Sequence, residues 1–443
     1  MTDKLTDSMQ QNPSRRNFLA SSAKVGAGAA LASAGLELVW RSADTADAAG
    51  ATLTYIGLKS AANTYVQIDM LKQFAHLHPG VTTQFVTAPT GAADSYHDKL
   101  VTIFSAHDSS IDVADSDVIW QAQWAPAGWA APLDAVFPPA QQKNYVPAMI
   151  VSDTVGGHIY GIPWLMDTGH LFYRKDILAA NGLKPAQTWQ DLLTQSLMFQ
   201  KKYPKMTPYV ACYQKGQQLI CNFMEYVWTN GGDLLDPKTG AVVLDSPQNV
   251  QALDTMVTFV KKKIVQTGIV SMELDTGRQI FTNGNAIYHR NWNYAYALSQ
   301  ANPKLVGKVG VTDIPHYPGH TTASCAGGWQ YVVNNYSKNR DLAIKLAAFM
   351  GGAAMQKYKT LHAEWTPAYL PAYDDKAITA KYPYYGLIAQ QAKTAKSRPK
   401  TPVWTHISSA VEAELDNALT GTKSSKQALS DAASQVKGII SGQ

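Results

Sequence analysis

The sequence predicts an α/β fold with more than one domain. Residues 53–56 form an apolar strand pattern, residues 68–75 carry a helical stripe, and residues 81–85 alternate as a second strand. Strand, helix and strand joined by short connections are typical of the start of a parallel sheet. The chain has 443 residues, more than one hydrophobic core usually serves, and its 46% hydrophobic and 16% charged residues are typical of a globular protein.

Residues 156–175 predict two short strands on either side of a polar interruption at residues 167–169. Pro163 disfavours helix for the residue before it. On such a backbone Trp164 and Asp167 can place an aromatic face and a carboxylate in one cleft, as a neutral polyol requires. Taken alone, the residues favour an ordinary strand pair with Trp164 in the core and Asp167 in a turn.

Helices are predicted further along the chain by their caps. Residues 188–191, Thr-Trp-Gln-Asp, form a capping box that opens a helix with Leu193 and Leu197 on its apolar face. Ser246 and Pro247 begin another helix. Two apolar stripes after residue 407 predict a pair of C-terminal helices.

The N-terminus resembles a twin-arginine export signal over residues 1–48. Arg15 and Arg16 precede a mildly apolar run, and Ala46-Asp47-Ala48 offers a small-x-small cleavage pattern, so we expect a mature start near Ala49. A disordered basic tail is the alternative. No Cys follows the run, and no later apolar stretch approaches the roughly 20 residues of a membrane span. We therefore expect the twin-arginine machinery as a partner and a soluble periplasmic protein.

The cysteines, the charge distribution and the absence of cofactor motifs limit the functions that the sequence allows. The odd number of cysteines, Cys212, Cys221 and Cys325, permits one bridge, but we expect three buried thiols. The net charge of +5 is spread along the chain, without the basic run that nucleic acid binding requires. There is no P-loop, dinucleotide fingerprint or metal-spaced His/Cys cluster, so the sequence predicts no cofactor and no metal.

Several segments occur in the order found in one known family. They are residues 156–178, the GW-x-x-PLD pattern of 128–134, the NGG of 230–232, the RNW-x-YAY run of 290–296, the AGGW of 326–329 and the RP-x-x-P loop of 398–402. The chain resembles the extracellular sugar-binding proteins of ABC importers over nearly everything after residue 52. It is most similar to the trehalose- and maltose-binding subgroup.

This resemblance implies a two-lobe periplasmic-binding-protein fold with discontinuous lobes and a ligand cleft between them. Lobe 1 would comprise residues 49–164 and 330–362, and lobe 2 residues 165–329 and 363–443. The chain would cross near 162–167, near 329–332 and once between 355 and 375. The implied function is capture of a di- or oligosaccharide and delivery to the membrane permease by a monomer.

The resemblance also implies the binding residues. Trp292 would stack on a sugar ring with Tyr294 beside it, Trp329 would be a second stacking residue, and Gly328 would admit close backbone approach. The full set of predicted ligand-binding residues is Trp292, Trp329, Asp167, Asp117, Arg398, Tyr294, Gly328 and Trp120. Aromatic faces suit the weakly polar faces of pyranoses, and carboxylates and guanidinium suit the hydroxyl rim.

The chain departs from the subgroup at four places. Tyr96 replaces a sugar-binding arginine, Leu165 stands where relatives often have an aromatic residue, Asn293 replaces a proline, and the loop of residues 59–63 has no carboxylate. The particular sugar therefore stays open. A different polyol or sugar derivative is the alternative within the class.

Each site residue also has an ordinary interpretation. Asp117 can cap a helix, Arg398 can be a solvated loop charge, and Trp292 with Tyr296 can be the core face of a helix start. In a different class, Asp117 and Asp167 could formally be the carboxyl pair of a glycoside hydrolase. The matched family is non-catalytic, and the βα pattern does not repeat eight times as in a barrel. We expect the polar groups of a binding cleft to face water.

Overall fold

The structure is a computed structural model that describes residues 50–58, 64–88, 93–392 and 395–442. The predicted export signal of residues 1–48, its cleavage site and the loop of residues 59–63 lie outside these ranges. From Gly50 onward the chain forms one compact unit. No helix in the described ranges is long and apolar enough to cross a membrane.

Most strands of the described residues join one large sheet, and β4 and β5 form a separate hairpin. The strands are β1 (Thr52–Gly57), β2 (Thr82–Thr87), β3 (Val113–Asp117), β4 (Thr154–Val155), β5 (His158–Ile159), β6 (Ile162–Arg174), β7 (Thr207–Val210), β8 (Ala286–Trp292), β9 (Val309–Thr312) and β10 (Ala326–Val333).

The helices pack around this sheet. They are α1 (Thr64–Leu77), α2 (Ala93–Ser105), α3 (Gln121–Trp124), α4 (Pro139–Gln142), α5 (Pro147–Asp153), α6 (Lys175–Ala180), α7 (Trp189–Lys202), α8 (Gln217–Trp228), α9 (Pro247–Lys261), α10 (Leu274–Thr282), α11 (Ala295–Gln300), α12 (Arg340–Gly351), α13 (Ala353–Ala363), α14 (Lys376–Lys381), α15 (Tyr385–Ala392), α16 (Trp404–Leu419) and α17 (Ser425–Ser441), with a 3-10 helix at Leu370–Asp374.

The predicted βαβ start is confirmed. Strand β1 pairs in parallel with both β2 and β3, and helix α1 connects β1 to β2. The buried stripe of α1 is rotated slightly from the predicted one, because Val66, Met70 and Phe74 are fully buried. These residues are spaced four apart and therefore lie on one helix face.

Strand β6 corrects the prediction of two short strands around an interruption. Residues Ile162–Arg174 form one continuous strand of 13 residues. Up to Thr168 it pairs with β10, and from Gly169 onward it pairs with β8, while β9 pairs with residues 171–174. The polar residues 167–169 do not break the strand, because a β-ladder is made by backbone groups and the partner changes where they stand.

The cap predictions are also confirmed. Thr188 accepts from the backbone N–H of Asp191, and the Asp191 side chain accepts from the N–H of Thr188, which completes the capping box of α7. Ser246 caps α9 with Pro247 in its first turn. The C-terminal helices α16 and α17 pack on each other and on α9.

Two hydrophobic clusters flank the change of partners on β6. The larger lies under α7, α8, α9, α16 and α17, and the smaller lies between β1, α2 and α3. The three cysteines are free thiols and are buried, as predicted. The partner change on β6 therefore lies between two cores, where side chains from both can meet.

Candidate functional site

Five of the predicted site residues lie on strands that meet where β6 changes partners. Strand register fixes their neighbours. The pairings are Asp117 with Trp329, Leu165 with Trp329, Asp167 with Gly327, and Gly169 with Trp292. Asp117, Asp167, Trp292, Gly328 and Trp329 are thus brought together from four separate strands.

The close packing of β10 against β6 requires a glycine at position 328. Its φ is +144°, and a Cβ at this position would overlap the carbonyl oxygen of Leu165. A bulge follows between Trp329 and Gln330. The close backbone approach predicted at Gly328 is therefore, in this structure, an approach of β10 to β6.

Asp117 and Arg398 form a buried ion pair. Arg398 Nη2 donates to Asp117 Oδ1 at 2.8 Å, and Arg398 Nη1 donates to Gln217 Oε1 at 2.8 Å. The Arg398 side chain is 2% exposed and the Asp117 side chain 11%. Burial disfavours the cation, but the carboxylate of Asp117 outweighs it and raises the pKa of Arg398. Arg398 is therefore not a solvated loop charge.

This ion pair corrects the expectation that the polar groups of the cleft face water. Asp117 and Arg398, 281 residues apart, satisfy each other instead. The cavity beside them, lined by Ile119, Ser152 and Pro399 among others, has a volume of about 10 Å³. Such a volume holds about one water molecule at most. Pairing is the physical reason, because two buried charges are far less costly together than apart.

Asp167 differs from Asp117. In the part of the chain that the structure describes, no hydrogen bond reaches its carboxylate, although its side chain is surrounded by protein and keeps only a minor accessible surface. Burial raises the pKa of Asp167 to about 7, while the charge of Arg290 opposes the rise and Asp117 adds to it. The site therefore contains an enclosed carboxyl group with free acceptor capacity.

Trp292 lies next to Asp167. A Cβ on Gly327 would be 3.2 Å from the Trp292 ring and 3.6 Å from the Cβ of Asp167. The indole Nε1 donates to Gln218 Oε1 at 2.9 Å. Trp292 is the last residue of β8 rather than part of a helix start, and it is only 7% exposed. The indole is thus almost fully buried, and it belongs to the larger core cluster.

Trp329, Trp120 and Tyr96 form an aromatic group. Trp329 stacks with Tyr96 at a centroid distance of 6.2 Å and meets Trp120 edge-on at 5.7 Å. Trp120 is 4% exposed inside the smaller core cluster, and the Tyr96 hydroxyl donates to the carbonyl of Ile56. Trp329 is half-buried, so it is the member of this group with surface left to offer.

Tyr294 follows β8 directly. It is half-buried, and its hydroxyl donates to Asp275 at 3.5 Å. Burial raises its pKa, and the nearby charges of Asp275 and Asp167 contribute. Tyr294 therefore lies close enough to Asp167 to interact with it electrostatically.

Sequence analysis missed four polar residues of this site. Gln217 and Gln218 begin α8 and bind Arg398 and Trp292. Glu225, about two turns further along α8, binds Arg290, and Asn293 binds Thr168 and the carbonyl of Met166. Two features of the sequence could have indicated these residues. One is the presence of polar residues in the otherwise apolar segment of α8, and the other is the replacement of the family's proline by Asn293.

The described residues contain no group of three or more His, Cys, Asp or Glu side chains arranged to hold a metal. The polar groups at the site are instead two carboxylates, which accept, a guanidinium, which donates, and amides, which do both, next to indole rings. Such a set can accept from and donate to hydroxyl groups while an aromatic face covers an apolar ring.

Comparison with known proteins defines the class. Residues 60–357 match the model of the bacterial extracellular solute-binding protein family. A probable ABC transporter-binding protein from Deinococcus radiodurans is 32% identical over 66% of this chain and 70% of its own. A galactooligosaccharide-binding protein from Bacillus subtilis is 26% identical over 68% of this chain and 70% of its own.

Solved structures agree on the fold. Maltose-bound MalE3 of T. maritima has a TM-score of 0.82 at 30% identity and covers 88% of this chain and 100% of its own. A solute-binding protein from Agrobacterium radiobacter K84 in complex with ribitol has a TM-score of 0.79 at 22% identity and covers 88% of this chain and 99% of its own. The molecule therefore has the two-lobe periplasmic-binding-protein fold.

These findings make the protein a solute-binding protein of the ABC-transporter type. The chain belongs to the bacterial extracellular solute-binding protein family. The resemblance seen in the sequence is confirmed.

Proposed function

We propose that this protein captures a sugar in the cell envelope and delivers it to the permease of an ABC importer. The family, and relatives named for galactooligosaccharide, maltodextrin and maltose, support this proposal. Among the structures of similar fold, others hold tagatose, ribitol or mannitol. We propose a di- or oligosaccharide of the trehalose or maltose kind, with a polyol as the alternative.

One observation carries the proposal: the Asp167 side chain and the Trp292 indole lie next to each other over Gly327, and the hydrogen-bonding capacity of the Asp167 carboxylate is unused by the described residues. A hydrogen bond to a charged group contributes about 1.5–3 kcal/mol. A sugar hydroxyl that donates to Asp167 gains this contribution, while a pyranose face covers the ring. Asp167 and Trp292 together supply both halves of sugar recognition.

The other predicted residues take their roles around this pair. Trp329 and Tyr294 add aromatic surface, and Asp117 with Arg398 offers an acceptor and a donor at the opposite side. Gly328 and Trp120 support the site through backbone approach and core packing. Because Arg398 reaches Asp117 from a distant segment, a ligand that joins this network stabilises the arrangement in which both segments meet.

The remaining features of the proposal follow from the predicted organisation. The lobes comprise residues 49–164 with 330–362 and residues 165–329 with 363–443, and the ligand favours their closure, which the permease recognises. The twin-arginine machinery exports the chain to the periplasm, where it acts as a monomer. Nothing at the site favours a glycoside hydrolase, because Asp117, one of the two carboxylates required, is held by Arg398.

A thermal-shift screen tests the function. Maltose, trehalose, a galactooligosaccharide, ribitol and mannitol are added to the purified protein, and a ligand that binds the native state raises the melting temperature. We expect the largest shift with a disaccharide, and no reducing sugar released on long incubation with maltodextrin. No shift with any of these compounds, or steady release of reducing sugar, would overturn the proposal.

A further inference from the structure

A fully buried ion pair lies directly behind Trp292. Arg290 Nε donates to Glu225 Oε2 at 2.8 Å and Arg290 Nη2 donates to Glu225 Oε1 at 2.5 Å. Both side chains are 1% exposed. Buried ion pairs are weak evidence for a gain in stability, because desolvation opposes attraction. Because a gain in stability does not by itself account for the Arg290–Glu225 pair, its position next to Trp292 suggests a role in the site.

The Arg290 guanidinium lies over the Trp292 ring. Its central carbon is 4.4 Å from the ring centroid, within the range of a cation–π contact. A planar guanidinium suits this stacking, whereas an ammonium is a compact charge. One face of the indole is therefore occupied by protein, and a ligand can stack only on the other.

The surrounding backbone makes room for the pair. Gly169 stands opposite Trp292 in the ladder, and a Cβ there would overlap both the Glu225 carboxylate and the Arg290 guanidinium. The backbone N–H of Cys325 also donates to Glu225 Oε1, at 3.1 Å. The carboxylate is thus fixed from β8 and from the segment before β10, and Arg290 has little freedom to leave the ring.

We propose that Arg290 is a positioning residue of the sugar site: held by Glu225 and stacked on one face of Trp292, it fixes the indole so that the opposite face meets the ligand. This inference rests on the proposed function. It assigns a role to two residues that make no contact with the sugar themselves.

A second consequence concerns Asp167. Burial raises the pKa of Asp167, and the positive charge of Arg290 opposes that rise. Within the described residues Arg290 Nη1 has no hydrogen-bond partner, so part of its charge is not neutralised by Glu225 through a direct contact. Arg290 therefore also favours the ionised form of the proposed acceptor.

A purely structural role is the competing explanation. Glu225 lies on α8 and Arg290 on β8, so the pair could merely join helix to sheet. That explanation predicts a lower melting temperature when the pair is removed, with unchanged sugar affinity. The two explanations thus differ in readouts other than stability.

The test uses two variants and a control. The double variant Glu225→Gln/Arg290→Gln removes both charges together, which avoids an unpaired buried ion. Arg290→Lys keeps the charge and loses the planar stack. Arg174→Gln is the control for an ion pair remote from the site, because Arg174 makes a two-contact but partly exposed pair with Asp176, at 2.8 and 2.6 Å, at the far end of β6.

Two measurements on the full folded chain decide between the explanations. Maltose titration calorimetry gives the affinity, and NMR follows the indole N–H of Trp292 and the titration of the Asp167 carboxyl, each assigned with Trp292→Phe and Asp167→Asn. We expect the double variant to lose at least about tenfold in affinity, to shift the indole resonance and to move the Asp167 midpoint upward. Arg290→Lys should shift the indole resonance and lose affinity while the Asp167 midpoint stays near its wild-type value.

The control Arg174→Gln should change none of these readouts. Unchanged sugar affinity in a folded double variant would overturn the inference, whatever happens to its melting temperature. If the wild type does not bind maltose, the maltose form of the proposed function fails, and the affinities of the variants are then compared with the sugar that the thermal-shift screen identifies.

Discussion

Two carboxyl groups on the large sheet have the same raised pKa but differ in their hydrogen bonding. Burial raises the pKa of both Asp115 on β3 and Asp167 on β6 to about 7. Asp115 accepts from the Tyr55 hydroxyl at 2.7 Å, the Trp164 indole at 3.0 Å and the Leu58 backbone N–H at 2.9 Å. No hydrogen bond from the described residues reaches Asp167.

The difference shows that a raised pKa indicates only that a carboxyl group is surrounded by protein. Its hydrogen bonds indicate whether the group is structural or available to a ligand. Asp115 also faces Lys359, which is buried over the Trp164 and Tyr331 rings at 4.8 and 5.0 Å. Its acceptor capacity is already used by the protein, as in a structural core group. Asp167 has a similarly raised pKa but keeps some accessible surface and has acceptor capacity to spare, which is what a binding site provides.

The largest expected effect is on stability, at Asp115. Asp115→Ala leaves the Tyr55 hydroxyl, the Trp164 indole N–H and the Leu58 N–H without their acceptor. We expect a loss of roughly 3 kcal/mol or more in the free energy of unfolding, because each buried donor left without a partner costs about 1–3 kcal/mol. Denaturant unfolding measures this loss.

The protein that remains folded should bind sugar with unchanged affinity. Asp115→Asn is the matched variant, because it keeps one acceptor oxygen and should lose less stability than Asp115→Ala. A stable Asp115→Ala protein with weakened binding would reverse the assignment of the two carboxyl groups.

At Asp167 the expected effect is on affinity. Hydrogen bonds to charged groups contribute about 1.5–3 kcal/mol, so Asp167→Asn should weaken sugar binding roughly 10- to 100-fold. Calorimetric titration with the sugar identified by the thermal-shift screen measures the change. Unchanged affinity in a folded Asp167→Asn protein would remove Asp167 from the site.

The pH dependence separates binding from stability at the same residue. An ionised Asp167 accepts two or more hydroxyl donors, so wild-type affinity should fall as the pH is lowered through about 7, and Asp167→Asn should lack this step. For stability the sign is opposite. The folded pKa lies above the ordinary 3.8, so this carboxyl costs stability as the pH rises from about 4 to about 7.

The variant Asp167→Asn should therefore melt higher than the wild type at pH 8 and equally at pH 4. Comparing variant with wild type is necessary because His170 and His289 act in the other direction. Burial lowers the pKa of each to about 3, so their contribution to stability is lost as the pH falls from 6.5 towards 3. A variant that melts lower than the wild type at pH 8 would contradict the enclosed position of Asp167.

Much of the fold was predictable because its signals are local. The βαβ start follows from spacing of apolar residues, and the capping box of α7 from four consecutive residues. The continuous strand β6 was not predicted, because Asp167-Thr168-Gly169 has the composition of a turn while its ladder partners are 120 to 160 residues away. Tertiary pairing overrides local preference there.

The site was predictable only in part, for a related reason. Motif resemblance pointed to Trp292, Asp167, Asp117 and Arg398, but not to the pairing of Asp117 with Arg398, which depends on contacts between segments 281 residues apart. Gln218 and Glu225 carried no motif, and their roles arise from packing of α8 against β8. The sequence therefore indicated which residues belong to the site, whereas the fold was needed to show which residues they pair with.

A smaller effect is expected at Trp292. Trp292→Phe keeps an aromatic ring but loses the 2.9 Å hydrogen bond to Gln218 and part of the stacking area. We expect affinity to fall roughly 2- to 10-fold, since aromatic contacts contribute about 0.5–1.5 kcal/mol beyond area burial. Trp189→Phe is the matched control, because this core indole donates to Thr229 at 3.0 Å and its loss should lower stability alone. An equal loss of affinity in both variants would show that weaker packing of the core, rather than loss of a ligand contact, lowers the affinity.

The smallest effect calibrates the others. Thr188 caps α7 through a hydrogen bond to the Asp191 N–H at 3.0 Å, away from the site residues. Thr188→Ala should cost about 1 kcal/mol of stability, the usual value of a helix cap, and should leave sugar affinity unchanged. Denaturant unfolding and titration of the same preparation measure both quantities. If this remote loss of stability also lowered affinity, then the weaker binding of Asp167→Asn could no longer be attributed to a missing acceptor, and the contrast between the two carboxyl groups would have to rest on the pH dependence alone.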